Sequence, residues 1–368
     1  MTALGCRGNQ PGPGSRPVPR WLWVLAALAP TAVWFLMVKV DPGSLFLDWT
    51  IYRQGFGLWQ SIGSPYVLLP AGWNPCETFP YLYPPTSWLL MPLSAVLPPI
   101  AAGLGILPLL LRPPRWWFVP IAAAFLIIGL GPALYLGNAN ALVAGLIVLS
   151  FVPGPVGGLA FGLVVGIKLY PIVLLPLLWG DRSRLKWFTA VLGGLALTGT
   201  VFFGVRGWID FGTTLLNEGP HCGISWNPFA DLGIARIAPA GLILIIGLAL
   251  RSPTISLIGA TWFSGVVTEH YFVTFAAALV VEPPLDATIG RLRTASFGLR
   301  LKLNRWFTRR ARNRVHPGSM EPPSGQSDAS SASRSPQTAL RAGEFGDDRP
   351  PLLHNEAARL NPALDRPR

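Results

Sequence analysis

PVGGLAFGLVVGIKLYPIVLLPLLWG, residues 155–180, is apolar throughout except at Lys168 and its tyrosine neighbour, and DRSRLK, residues 181–186, follows at once. The length suffices for one crossing, since a ~30 Å hydrocarbon core takes about 20 residues. The flanking charges do not allow one. Basic residues collect at cytoplasmic ends, so Arg182, Arg184 and Lys186 put residue 180 inside. The apolar run at 141–152 already leads inward, so residue 155 starts inside too. A hairpin of two short helices, broken around Lys168-Leu-Tyr-Pro171, satisfies both ends. Proline removes an amide donor and disfavours the helical region for the residue before it, here Tyr170. The chain therefore reads as an all-α polytopic membrane protein with broken or partly inserted helices.

Composition agrees. The 368 residues are 51% apolar and 12% charged, with a mean hydropathy of +0.44, whereas soluble proteins carry about 25% charge. Cys6, Cys76 and Cys222 are too few and too far apart for a disulfide scaffold. Cys76 and Cys222 both fall in external loops, where either a pair or two free thiols fits. The net charge of +12 sits mostly in the tails: residues 1–20 hold three Arg and no acid, and residues 283–368 hold 15 basic and 8 acidic side chains. Basic residues flank greasy segments instead of interleaving with aromatics on one face, so no nucleic-acid partner is expected.

Working outward, residues 21–38 form a first span behind Arg7, Arg16 and Arg20, with the N-terminus cytoplasmic. It reads as an uncleaved anchor; a cleaved signal peptide is the alternative. An external loop occupies 39–85, and 86–111 returns inward to Arg112 and Arg115. Residues 116–136 lead out to Gly137-Asn-Ala-Asn140. After the hairpin, 187–205 lead outward, 207–236 form a second external loop, and apolar runs follow at 237–250, 254–268 and 271–281. The expected total is about 8–10 transmembrane or partly inserted helices within 21–282, several too short to cross alone. In 283–316, Leu292, Leu299, Leu303 and Trp306 recur among Arg and Lys, as in a cytoplasmic amphipathic segment or a basic flank. Residues 317–368 lack periodicity and read as a disordered tail.

Ionisable residues beside a membrane are costly and usually functional. Here Asp48, Arg53, Glu77, Lys168, Glu218, Asp231, Glu269 and His270 all fall near the outer surface. Asp48 is either a helix cap or a carboxylate facing a cavity. Lys168, among apolar neighbours, either snorkels to the interface or supplies a fixed positive charge for a phosphate or carboxylate. His270 is either structural or a proton acceptor or phosphate ligand. Asn138 and Asn140 cap a helix or bond sugar hydroxyls, and Tyr81 to Pro85 anchor an interface or stack a sugar. No phosphate-cradling loop, dinucleotide fingerprint, zinc spacing or G-x-S-x-G occurs, which argues against a nucleotide-driven pump.

The ordered set Asp48-Trp-Thr-Ile-Tyr52, Gly63-Ser-Pro-Tyr66, Tyr83-Pro-Pro85, Gly137-Asn-Ala-Asn140, Gly166-Ile-Lys-Leu-Tyr-Pro171 and Glu269-His-Tyr271 resembles the polytopic GT-C glycosyltransferases that use polyprenyl-phosphate sugars. Among them it is most similar to the actinobacterial α-(1→2)-mannosyltransferase family. Asn138 stands where that family often has glutamine. The resemblance implies an inverting transfer of a sugar, mannose in kind, from a polyprenyl-phosphate donor to a glycolipid or glycan hydroxyl outside the cell membrane, without a cofactor or metal. It maps the essential acid to Asp48 and the late histidine to His270, either of them acting as base. Lys168 and Arg53 would hold the donor phosphate. Tyr52, Tyr66, Tyr83, Asn138, Asn140, Tyr170 and Glu269 would hold sugar or acceptor. Two other classes fit the composition: a transporter or flippase for a lipid-linked saccharide, and an inactive partner in envelope biosynthesis.

Overall fold

The computed structural model describes residues 18–66, 81–93, 96–216, 225–263, 267–284 and 305–306. Cys76, Glu77, Glu218, Cys222, most of the basic segment 283–316 and the tail from 317 lie outside the described residues. Among the described residues every regular element is helical: α1 (Arg20–Val40), α2 (Leu47–Ile62), α3 (Leu97–Leu111), α4 (Val119–Leu136), α5 (Asn140–Ser150), α6 (Pro155–Ile167), α7 (Leu175–Leu178), α8 (Arg182–Leu216), α9 (Ile237–Leu250), α10 (Pro253–Trp262) and α11 (Phe272–Val280). Four stretches, Arg20–Val40, Val119–Leu136, Arg182–Leu216 and Ala230–Leu250, are long and apolar enough to cross a membrane.

Two of the shortest helices lie inside. At 1.5 Å per residue α5 and α11 reach only about 16 and 14 Å, well short of the ~30 Å core. Yet every residue of α5 but Leu149 is buried, as is α11 from Val273 to Val280. Helices apolar all round belong in an interior, and α5 packs among α3, α6 and α11. Phe35 of α1, Val201 and Val205 of α8 and Ile245 of α9 are instead exposed, forming the apolar surface that meets lipid. The short helices α5 and α11 are thus at the centre of the bundle, and they need not span.

The 155–180 stretch is interrupted at the lysine. Helix α6 stops at Ile167, and Lys168 is extended (φ −138°, ψ 130°). A 3-10 turn at Tyr170–Leu174 and the four-residue α7 follow, in place of a second helix of similar length. Gly158, Gly162 and Gly166, one face of α6 at a spacing of four, receive α8. A Cβ on Gly162 would come within 2.7 Å of Val191 Cβ, and one on Gly166 within 2.5 Å of Leu195 Cδ1. Small residues at this spacing let membrane helices close on one another, and here they set where the lysine at the end of α6 stands.

The segment expected as an external loop from 207 begins as helix. Helix α8 breaks at Gly204 (φ 65°, ψ 179°) and resumes to Leu216. That region of backbone space is essentially open to glycine alone. Across the break, Trp208 Nε1–H donates to Thr200 Oγ1 at 2.9 Å. The loop expected at 39–85 likewise holds a regular element, α2, and α2 carries the first site residue.

Candidate active site

The turn between α1 and α2 is tied to the end of α4. Phe46, in the left-handed region (φ 58°), donates its amide to the Tyr135 carbonyl at 2.8 Å. The Tyr135 hydroxyl donates to the Asp41 carbonyl. These bonds bring Asp48, in the first turn of α2, to the Gly137–Asn140 segment that opens α5. Asn138 Nδ2–H donates to Asp48 Oδ2, and Asn138 Oδ1 accepts the Asn140 amide at 2.8 Å. One carboxamide therefore joins the start of the central helix to the carboxylate.

One helical turn beyond Asp48, the Tyr52 hydroxyl accepts the Ala139 amide at 3.2 Å and donates to the Tyr83 hydroxyl at 2.5 Å. Lys168 Nζ lies 5.3 Å from the centre of the Tyr83 ring and 4.9 Å from that of Tyr271, a two-sided cation–π seat. The Lys168 charge is felt at both Asp48 and His270, and the Glu269 charge at Asp48. His270 stacks on Tyr271, centroids 5.2 Å apart, with Nε2 2.8 Å from the Thr268 hydroxyl. The Tyr170 ring is 5.7 Å from that of Tyr271. Tyr66 adjoins through its hydroxyl, which donates to the Tyr83 carbonyl at 2.7 Å.

Asp48, Tyr52, Tyr83, Asn138, Lys168, Tyr170, Glu269 and His270 thus meet in one region. Asn140 is fully buried, and its side-chain nitrogen and oxygen have no hydrogen-bond partner among the described residues. Arg53 does not join them. Five residues after Asp48 it is turned about 140° around α2, and it is exposed. Asp231 is also exposed, in a turn ahead of α9. Lys168 is therefore the cation that the fold brings to the carboxylate. Tyr271 stood in a quoted motif without a role. As the second ring against Lys168 it is part of the site, and its neighbour His270 was the only signal for it.

Burial pushes the half-buried Asp48 carboxyl above its ordinary range. The Asn138 bond and the Lys168 charge act against that rise, and the Glu269 charge adds to it. Burial, as the main cause, also holds the hydroxyls of Tyr52 and Tyr83 protonated well above the usual phenol range. A carboxylate with raised proton affinity therefore sits beside a fixed cation, among neutral hydroxyls and a carboxamide. Such a grouping suits proton transfer coupled to the movement of negative charge.

The fold and this centre define a polytopic membrane protein with an ionisable cluster gathered inside its helices. The family model of glycosyltransferase family 87 matches residues 81–281. The chain belongs to glycosyltransferase family 87 and is a membrane glycosyltransferase, GT-C-like in kind. The matched region holds Tyr83, Asn138, Asn140, Lys168, Tyr170, Glu269 and His270. Asp48, Tyr52 and Tyr66 precede it and are attached to it by their bonds to Asn138, Ala139 and Tyr83. No curated protein and no solved structure matches the chain.

Proposed function

We propose that this glycosyltransferase moves mannose from a polyprenyl-phosphate donor to a hydroxyl of an envelope glycolipid or glycan, with inversion. The reaction takes place at the outer side of the cytoplasmic membrane, with both termini cytoplasmic. The observation that carries this reading is the Asp48–Asn138–Lys168–His270 cluster at the end of the central helices. The acceptor hydroxyl loses its proton to Asp48, and its oxygen bonds to the anomeric carbon. The bond from that carbon to the phosphate oxygen breaks, and the lipid phosphate leaves with the electron pair. Lys168 stabilises the phosphate charge, as fixed cations do in preorganised sites. His270 orients the acceptor or takes the proton in place of Asp48.

A lipid-linked donor is supported by an apolar cavity of about 220 Å³ lined by Phe56, Trp59, Trp88, Met91, Phe202 and Phe203. Asp48, Tyr52, Phe56 and Trp59 lie at i, i+4, i+8 and i+11, one stripe of α2. At 1.5 Å per residue the cavity begins about 12 Å along the helix from the carboxylate, a fitting distance for a tail whose head group sits at Asp48.

The test is transfer from radiolabelled polyprenyl-phosphate mannose in membranes containing the full-length protein. Asp48→Asn and His270→Ala are each expected to abolish it. Full turnover in both variants refutes the site, and an inactive wild type with this donor refutes the choice of donor.

A further inference from the structure

Asp210 lies in the part of α8 beyond the Gly204 break, and it is 6% exposed. A buried carboxylate is costly unless it is paired and hydrogen-bonded. Its ionic neighbour, Arg206, is 3.8 Å away and 82% exposed, an arrangement that contributes little. The Ser64 hydroxyl donates to Asp210 Oδ2 at 3.2 Å. With its proton so committed, Ser64 Oγ accepts the Tyr66 amide at 3.3 Å. Phe211, next to Asp210, packs its ring 5.9 Å from that of Tyr66. Tyr66 in turn donates its hydroxyl to the Tyr83 carbonyl, and Tyr83 offers its ring to Lys168 and its hydroxyl to Tyr52.

The geometry points to Asp210 as a positioning residue that, through Ser64 and Tyr66, holds Tyr83 against Lys168. It rests on the reading of Lys168 as the cation of the site, but not on any particular donor. The Gly204 break serves this arrangement, because it re-aims the second part of α8 and so turns a carboxylate onto the Gly63–Tyr66 turn. Asp210 touches none of the groups proposed to react; it acts on them by fixing a tyrosine.

The experiment needs no substrate. The purified full-length protein in nanodiscs is pulsed with an amine-acetylating reagent, and labelling of Lys168, Lys39 and Lys186 is followed by peptide mass spectrometry. Lys39 and Lys186 are exposed and set the reference rate of the reagent. In Asp210→Ala and Ser64→Ala, labelling of Lys168 should rise about fivefold, the factor set by losing one ordinary hydrogen bond. Lys39 and Lys186 should not change. Asp210→Asn, whose carboxamide oxygen still accepts from Ser64, should stay near the wild type. Tyr66→Phe, a milder change than either alanine variant, should also raise Lys168 labelling. Unchanged Lys168 labelling in Asp210→Ala, Ser64→Ala and Tyr66→Phe overturns the assignment. A rise of the same size in Asp210→Asn, which keeps the acceptor for Ser64, overturns it too, because it marks general loosening. Loss of transfer in Asp48→Asn is unaffected by either result, so the site and its support are tested separately.

Discussion

Asn138→Ser isolates the bond that tunes the carboxylate. The serine hydroxyl is too short to reach Asp48, but it still offers an oxygen to the Asn140 amide, so that amide at the start of α5 keeps an acceptor. A hydrogen bond to a charged group contributes roughly 1.5–3 kcal/mol, and the part-exposure of Asp48 allows water to replace about half of that. Losing the roughly 1 kcal/mol that remains raises the Asp48 pKa and moves its protonation balance about fivefold. The sign follows from the chemistry. The Asn138 bond stabilises the charged carboxylate, so its loss makes Asp48 hold its proton to higher pH, and a base must be deprotonated to act. The acid limb of kcat/KM, which reports the free enzyme, should therefore move to higher pH, with much of the alkaline plateau retained. Initial rates of sugar transfer across pH 4–9 in nanodiscs, compared with the wild type, measure it. An unmoved limb, or one displaced to lower pH, in a variant that melts normally assigns the proton to another group and rules out Asp48 as the base.

Trp59→Ala removes a wall of the apolar cavity and the indole donor that bonds the Phe202 carbonyl at 3.1 Å. The KM for a long-chain donor should rise about tenfold, the factor for losing roughly two buried methylene contacts, while a donor with a two-isoprene tail is unaffected; equal effects on both would deny the cavity that role. Gly162→Val forces α6 away from Val191 of α8. Overpacking of this kind costs about 1–3 kcal/mol, to be read as a lower melting temperature of the solubilised protein, and an unchanged melting point would show that the two helices do not close there. Asp48→Asn should lose transfer without lowering the melting temperature, because burial disfavours the carboxylate that it removes; a marked drop in melting temperature would make Asp48 structural.

The family match covers 81–281, yet the proposed base lies before it. Asp48 enters the site through a left-handed Phe46, a helix that starts at Leu47, and the distant Tyr135 carbonyl that receives the Phe46 amide. None leaves a strong pattern in sequence. The central helices do leave one, since their apolar residues run all round and their opening segments are polar.

Apolar run lengths, flanking arginines and Pro171 were enough to read a helical membrane protein, and to place a break at Lys168. These are local properties: hydropathy, charge and the missing amide of proline act within a few residues. The four-residue spacing of Gly158, Gly162 and Gly166 was also there to read, and so was the turn that carries Arg53 away from Asp48 and Tyr52. Partnership between distant residues was settled by packing alone. Asn138 reaches Asp48 across 90 positions, Lys168 settles between Tyr83 and Tyr271, and Asp210 meets Ser64 across 146. Such pairs depend on which helices become neighbours and in what rotation. That choice is made by the packing of whole faces, glycine against bulky side chain, and by the interior being the one place where helices too short for the bilayer can be buried.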